Sequence, residues 1–206
     1  LMTITNGLCT LAEFKAWVTV RGGTTSTDAA DDAVIEDIIE QSSRYIEEQT
    51  GRRFWKNSSD ETRYYRPKNS FRLEIDDLSA APTSVSVDYD ALRTTYTALA
   101  TTDYDLLPDN AALDGKPYTM LELTFNTTAY FPTNQRGVKI VGKFGWPSVP
   151  DNIKSDCLSI AHNIWMARSG QVGSGKVSVT AEGIVIRPED VPPMVMQDIQ
   201  AYRIYR

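Results

Sequence analysis

The chain of 206 residues is long enough to bury a core as one domain, or as one domain with an insertion. Its 21 Lys and Arg residues face 27 Asp and Glu residues, and the net charge of −6 argues against a surface that coats DNA or a membrane, because both attract positive charge. The two cysteines, Cys9 and Cys157, lie far apart in the sequence, which disfavours a disulfide framework or a zinc site and favours a reducing compartment.

The N-terminal residues have neither the basic start nor the apolar run of a secretory signal. No apolar stretch approaches the roughly 20 residues that a membrane-spanning helix needs. We therefore expect a soluble protein that is intracellular when it is made and that has no membrane partner.

Two helices are predicted in the first quarter of the chain. Thr10 and Glu13 match a capping box, in which each side chain hydrogen-bonds the backbone amide of the other, and a short helix follows over residues 10–18. Apolar residues then recur at helical spacing over residues 28–50, where acidic residues in the first turns favour the helix dipole. Gly51 is suited to end this second helix, because glycine readily adopts the left-handed backbone that follows a helix.

From residue 62 onward the apolar residues alternate with a period of two, which predicts β-strands. Pro, Asn, Asp and Gly residues between the alternating stretches predict turns. The predicted strands are 62–66, 71–75, 84–88, 94–98, 120–125 and 138–144. Together they predict a mostly antiparallel β block inserted over residues 62–145.

A third helix is predicted over residues 150–169, with Pro150 near its first position. A glycine-rich linker follows, then a hairpin of strands 177–180 and 184–186. A last helix starts at Pro192-Pro193 and continues through residue 205.

These elements predict the fold class α+β. The architecture is a small α-helical bundle with an inserted, mostly antiparallel β block and a C-terminal hairpin-helix extension. We expect a main domain over residues 1–170 and the extension over residues 171–206.

The sequence offers only weak candidates for a catalytic, phosphate-binding or metal-binding site. The spacing from Gly170 to Lys176 matches a phosphate-binding loop, but Val177 stands where a Ser or Thr must bind Mg²⁺, and a helix precedes the loop where a strand is required. His162 is the single histidine and lies mid-helix without Cys or carboxylate residues at ligand spacing, which favours a structural role. The sequence therefore predicts no catalytic, cofactor-binding or metal-binding residues, no cofactor and no enzymatic activity.

Charge is distributed unevenly along the chain. Residues 28–50 carry eight acids and one arginine, whereas residues 52–72 carry seven basic and two acidic residues with aromatic residues between them. Three interpretations of residues 52–72 remain open: half-buried strands whose basic side chains reach the solvent, a nucleic-acid surface, and one side of a contact between subunits. Opposite charge on two patches suits a head-to-tail ring, because such a ring joins two different surfaces. The inter-subunit candidates are Asp31, Asp32, Glu36, Glu40, Arg52, Arg53 and Lys56.

The order and spacing of these elements resemble the head-to-tail connector (adaptor) family of tailed bacteriophages. The resemblance covers about residues 8–170. It depends on the acidic helix that ends with residues 45–54 (YIEEQTGRRF), on residues 103–108 (DYDLLP), and on residues 138–146 (VKIVGKFGW), which lead into Val149-Pro150 and a helix. The large β insert and the residues after Gly170 are longer than the minimal family pattern.

The resemblance implies a structural adaptor in the neck of a virion, assembled in the host cytoplasm. Members of the family form a ring, usually of twelve subunits, under the portal protein, and they present the next docking surface to a stopper or tail-completion protein. Genomic DNA passes through such a ring without specific binding. Residues 1–170 would then be the connector domain.

The terminal helix is the predicted portal-docking element, because its apolar residues spread over more than one face. The candidates are Met194, Met196, Ile199, Tyr202, Ile204 and Tyr205. The alternative is that this helix folds back onto its own bundle. The alternative function is a DNA-binding or packaging accessory protein that uses the basic aromatic segment 52–72.

Overall fold

The computed structural model describes residues 4–21, 23, 29–168, 178–180, 183–185 and 191–204. The chain divides into two compact units. Leu1–Arg52 together with Val149–Arg206 form one unit, called the helical unit below, and Arg53–Ser148 form the other, called the β unit. The predicted fold class, α+β with antiparallel sheets, is confirmed.

The β unit contains seven strands in two antiparallel sheets. The strands are β1 (Glu61–Tyr65), β2 (Arg72–Leu78), β3 (Ser84–Val87), β4 (Thr97–Ala98), β5 (Tyr104–Leu107), β6 (Tyr118–Leu123) and β7 (Val138–Gly142). One sheet has the order β1-β7-β3-β4 and the other β2-β6-β5. Only two residues of the predicted strand 94–98 are in a sheet, and β5 was not among the predicted strands.

Alternation along the strands directs one side of each sheet into a shared core. In β7, Val138, Ile140 and Gly142 are buried, while Lys139 and Val141 between them are partly exposed. One buried cluster draws on both sheets. Its members are Leu73, Ile75, Leu78, Val85, Val87, Tyr104, Leu121, Leu123, Phe131, Val138, Ile140 and Phe144. The β unit is therefore held together by side chains from the inner faces of both sheets.

The sequence Phe144-Gly145-Trp146 makes a tight corner after β7. Gly145 has φ +106°, and a Cβ there would lie 1.9 Å from the carbonyl oxygen of Trp55. The Trp146 indole donates a 3.0 Å hydrogen bond to the buried carboxylate of Asp77, and its ring centroid lies 5.4 Å from that of Phe54. Only glycine fits this approach, so the corner fixes residues 53–56 against the end of β7.

In its described residues, the helical unit contains four helices and a hairpin. They are α1 (Leu11–Val20), α2 (Ala29–Thr50), α3 (Asp151–Arg168), β8 (Ser178–Thr180) paired with β9 (Gly183–Val185), and α4 (Pro193–Tyr202). The predicted capping box is present, since the Glu13 amide donates to the Thr10 hydroxyl and the Thr10 amide donates to the Glu13 carboxylate. α2 contacts the other three helices.

The core of the helical unit contains several isoleucines and two buried thiols. Ile38 and Ile46 of α2 are fully buried, as the helical spacing predicts. Cys9 and Cys157 are buried reduced thiols whose sulfur atoms lie 3.7 Å apart. The pair is thus adjacent in space although 148 residues separate it in sequence.

α4 packs onto the rest of the helical unit. Val191, Val195 and Ile199 recur every four residues and are buried. The amide of Ile204, just after α4, donates a 2.9 Å hydrogen bond to the carbonyl oxygen of Thr50 at the end of α2. The predicted alternative, in which the terminal helix folds back on the bundle, describes this arrangement.

Candidate functional site

The acidic face of α2, defined as Asp32, Glu36 and Glu40, is partly exposed along its length, whereas Asp31, also partly exposed, lies about 140° around the helix from Glu36. Asp32 forms an ion pair with Lys15 of α1, and Glu40 approaches Arg44 at 3.7 Å. Within the described part of the chain, Asp31 and Glu36 have no ion-pair partner. Residues 32, 36 and 40 follow each other at intervals of four, so their side chains form a stripe along the helix.

Most basic side chains of residues 52–72 are held by carboxylates of the β unit. Arg63 binds Asp76 at 2.7 Å and Glu61 at 3.0 Å, and Arg53 binds Glu61 at 3.1 Å. Two further ion pairs join Lys68 to Glu74 at 3.0 Å and Arg72 to Glu122 at 2.9 Å. The positive charge of this segment is therefore largely neutralised within the same unit.

Glu61 shows how strong this neutralisation is. Burial by itself raises the pKa of Glu61, but hydrogen bonds from Arg63, Asn57 and Arg53 outweigh it and lower the pKa to about 2. The Arg63 guanidinium also lies 4.2 Å over the Phe144 ring. Arg53 and Arg63 thus help to hold the β unit together.

Arg52 and Lys56, the other basic inter-subunit candidates, have different surroundings. In the helical unit, the Arg52 Nε atom donates a 2.6 Å hydrogen bond to the carbonyl oxygen of Tyr202 in the last turn of α4. A cation at a helix C-terminus is favoured by the helix dipole, so Arg52 stabilises the packing of α4. Lys56 is exposed, and no carboxylate of the described residues pairs with it.

The portal-docking candidates on α4 differ in exposure. Met194 is 76% exposed, Met196, Tyr202 and Ile204 are partly exposed, and Ile199 is 2% exposed in the core. The Tyr202 hydroxyl donates to Asn152 of α3 at 3.2 Å. Tyr205 lies outside the described residues. Ile199 consequently anchors α4, and Met194 presents the most apolar surface of the helix to solvent.

A second basic surface lies on the outer side of the four-stranded sheet; it includes two residues of the predicted segment 52–72, and its other residues were not predicted. We define the basic-aromatic face as Tyr64, Tyr96, Arg66, Arg93, Arg136 and Lys139. Arg136 lies 4.7 Å over the Tyr64 ring, and Lys139 lies 4.8 Å over the Tyr96 ring. These cations come from distant parts of the sequence, so a window along the chain does not show them; only the pairing of Tyr64 with Lys139 across β1 and β7 brings them together.

The described residues hold no evident chemical centre. They contain no group of three His, Cys, Asp or Glu residues that could hold a metal ion. Burial, and to a lesser degree the charge of Arg21, lower the pKa of the half-buried His162, which is consistent with the predicted structural role. The predicted linker at Gly170–Lys176 lies outside the described residues. No helix in the described ranges combines the length and the apolar character needed to cross a membrane.

Comparison with known proteins gives a match at the level of structure. No family model matches the chain, and no curated protein matches it. A chain from the neck of an empty GTA particle, computed with C6 symmetry, matches with a TM-score of 0.57 and 18% identity, over 100% of this chain and 94% of that one. A chain from the neck of a native GTA particle, computed with C12 symmetry, matches with a TM-score of 0.52 and 17% identity, over the same shares. The chain therefore shares its fold, over its whole length, with chains found in the necks of GTA particles.

Proposed function

We propose that this protein is a structural head-to-tail adaptor of a tailed phage or phage-like particle. The single observation that supports this best is the whole-length structural match to chains of GTA necks. The function is non-enzymatic. In this proposal the protein is a component of the virion neck, assembled in the host cytoplasm.

The adaptor forms a ring, of twelve subunits in this proposal, under the portal protein and extends the DNA channel toward a stopper or tail-completion protein. One of the two matching neck structures was computed with C12 symmetry, which is consistent with that number. The net charge of −6 per subunit suits a conduit, because a negative lumen repels phosphate and lets genomic DNA pass without specific binding.

The acidic face of α2 supplies one side of the contact between neighbouring subunits in this proposal. Its support is the presence of Glu36, a partly exposed carboxylate that no described cation neutralises. Among the basic candidates, Lys56 is exposed and available for such a contact. Arg52 and Arg53 act on the fold through Tyr202 and Glu61.

α4 is the proposed portal-docking element, through its exposed Met194 and the partly exposed Met196. Methionine suits adaptable interfaces, because its side chain is flexible and polarisable. Met194→Glu should reduce binding to the portal by at least tenfold while the helical unit keeps its melting temperature. Gln197→Glu, on the same exposed helix, adds the same charge and should leave portal binding unchanged. Equal binding by the two variants would refute docking through α4.

Electron microscopy of the purified full chain, alone and mixed with the portal protein of the same particle, tests the function. We expect rings, either free or seated on the portal. A protein that stays monomeric in both samples contradicts the adaptor function. If the same protein is retained on duplex DNA in a salt-dependent way, the alternative of a DNA-binding accessory protein replaces it.

A further inference from the structure

We propose that the basic-aromatic face of the β unit receives the acidic face of α2 from a neighbouring copy of the chain. The inference deepens the proposed ring and rests on it, since it names the two surfaces that meet at each contact. It differs from a contact through the four paired cations of residues 52–72, which are Arg53, Arg63, Lys68 and Arg72, although Tyr64 and Arg66 of that segment belong to the basic-aromatic face.

The register of the four-stranded sheet places this surface on its solvent side. Tyr64 of β1 pairs with Lys139 of β7, and Lys139 pairs with Ser86 of β3. The side chains of paired residues lie on the same face of a sheet, and the opposite face carries Val138 and Ile140 into the core. Tyr64 is 43% exposed. The face is therefore accessible and cannot be part of the β unit's own core.

The four cations of this face converge on one loop, residues 133–136, and the strand that follows it. Arg93 donates a 2.8 Å hydrogen bond to the Gln135 side chain, and Arg66 donates one of 3.3 Å to the Thr133 carbonyl oxygen. Arg136 and Lys139 lie over the two tyrosine rings. None of the four forms an ion pair with a carboxylate of the described residues, in contrast to Arg53, Arg63, Lys68 and Arg72.

Two acids lie near this surface: the buried Asp88, and the exposed Asp90, which shares a hydrogen bond with it. Asp88 is fully buried and accepts a 3.0 Å hydrogen bond from the backbone amide of Arg93. Its carboxylate thus faces inward and leaves the outer surface positive. The positive charge of four surface cations that have no carboxylate partner is balanced either by solvent alone or by an anionic partner.

The cations are held in position before any partner arrives. The Tyr96 hydroxyl donates a 3.0 Å hydrogen bond to the carbonyl oxygen of Arg136, which fixes the loop, and the two tyrosine rings lie 6.0 Å apart. Cations that are pre-ordered lose less entropy on binding. The same stacking covers ring faces that unpaired bases would need, so the arrangement favours carboxylates over single-stranded nucleic acid.

The chain itself carries a surface of the required chemistry. α2 holds seven carboxylates and one arginine within Ala29–Thr50. Its stripe of acids at intervals of four residues repeats about every 6 Å, a spacing similar to the roughly 5 Å between neighbouring strands of a sheet. Duplex DNA fits less well, because the rest of the subunit is acidic: the helical unit has 10 basic and 15 acidic residues, and the β unit has 11 and 12.

A reciprocal charge exchange tests the contact. Arg136→Glu with Lys139→Glu makes the basic-aromatic face acidic, and Glu36→Lys with Glu40→Lys makes the acidic face basic. In a head-to-tail ring each double variant alone should assemble at least tenfold less than the unmodified chain at about 50 mM salt, where surface charges are weakly screened. A mixture of the two variants should restore assembly, because alternating copies make every contact complementary.

Lys116→Glu with Lys143→Glu is the matched control, since it changes the charge of the β unit equally at two exposed positions outside the face. Ring formation is measured by sedimentation velocity and electron microscopy, on the portal if rings form only there, with circular dichroism to verify folding. If the unmodified chain forms no ring in either setting, the proposed function fails. If it forms rings and Arg136→Glu with Lys139→Glu does too, or the mixture restores nothing, this contact is refuted. Loss of duplex DNA retention in that variant, with rings intact, would assign the face to nucleic acid instead.

Discussion

Asp156 is expected to make the helical unit less stable as the pH rises. This residue of α3 is 5% exposed, and its Oδ2 atom has no hydrogen-bond partner. Burial, together with the charge of Asp198 on α4, raises the pKa of Asp156 from its ordinary value of 3.8 to about 7. A buried carboxylate without a partner favours its neutral, protonated form.

The direction of the effect follows from where each state releases the proton. The unfolded chain loses the Asp156 proton near pH 3.8, whereas the folded chain keeps it until about pH 7. Between these values the folded state binds more protons, so the free energy of unfolding falls as the pH rises. At about 1.36 kcal/mol per pKa unit, the loss is at most about 4 kcal/mol, which is a large part of the roughly 5–15 kcal/mol that stabilises a typical domain.

Asp156→Asn keeps the shape of the side chain and removes the ionisation. We expect its stability relative to the unmodified chain to increase by about 2.6 kcal/mol between pH 5 and pH 8, most of it below pH 7. Urea unfolding followed by circular dichroism at 222 nm reports on the helices and gives this difference at each pH. Groups common to both proteins, such as Glu61 with its pKa of about 2, cancel in the comparison.

Two further variants determine whether the effect belongs to this environment. Asp151→Asn changes an exposed residue in the first turn of α3, and its stability difference should not vary over this pH range. Asp198→Asn removes the neighbouring charge and should give a smaller pH dependence of the same sign. A difference for Asp156→Asn that stays constant with pH, or that shrinks as the pH rises, would refute the reasoning.

Three other predictions concern the two cores. Ile38→Asp places an unpaired charge at a fully buried position and should abolish the helical circular dichroism signal; a variant that melts like the parent would contradict this packing. Gly145→Ala puts a Cβ 1.9 Å from a backbone oxygen and should lower the melting temperature of the β unit by far more than Gly115→Ala, where the left-handed backbone is strained but the space is open. The hydrogen bond that the Cys9 thiol donates to Cys157, together with burial, raises the pKa of Cys9, so Ellman's reagent should label the thiols quickly only in urea; rapid labelling of folded protein would show that they are accessible.

The helices were predictable because their signals are local. The Thr10 and Glu13 capping box involves residues three apart, and the buried isoleucines of α2 repeat at intervals set by helical geometry alone. The strand β7 was predictable for the same reason, since its alternation is visible in five residues. In each case the pattern that predicts the element lies within the element itself or directly beside it in the sequence.

The arrangement of the strands was not predictable in this way. β1 pairs with β7, about 75 residues later, and nothing within either strand specifies the other as its partner. β5 was missed because it is only four residues long, lacks a regular alternation of buried and exposed positions, and is bounded by Asp103 and Pro108. The approach of Cys9 to Cys157 likewise depends on how α3 packs on α2. Their separation in the sequence therefore did not indicate that the two thiols are neighbours.

The sum of charge along the chain does not show which cations remain unpaired at the surface, for a physical reason. A strand sends alternate side chains to opposite faces, so a basic segment that becomes β1 and β2 divides its cations between different surroundings. Arg63 forms an ion pair with Asp76, and Arg72 forms one with Glu122 of β6. Arg136 and Lys139 lie in residues 123–150, which contain three basic residues and no acid, and they remain without a carboxylate partner among the described residues because the sheet brings tyrosines beside them. A positive surface in a β-rich domain therefore follows from the strand order, and it can be inferred only once that order is known.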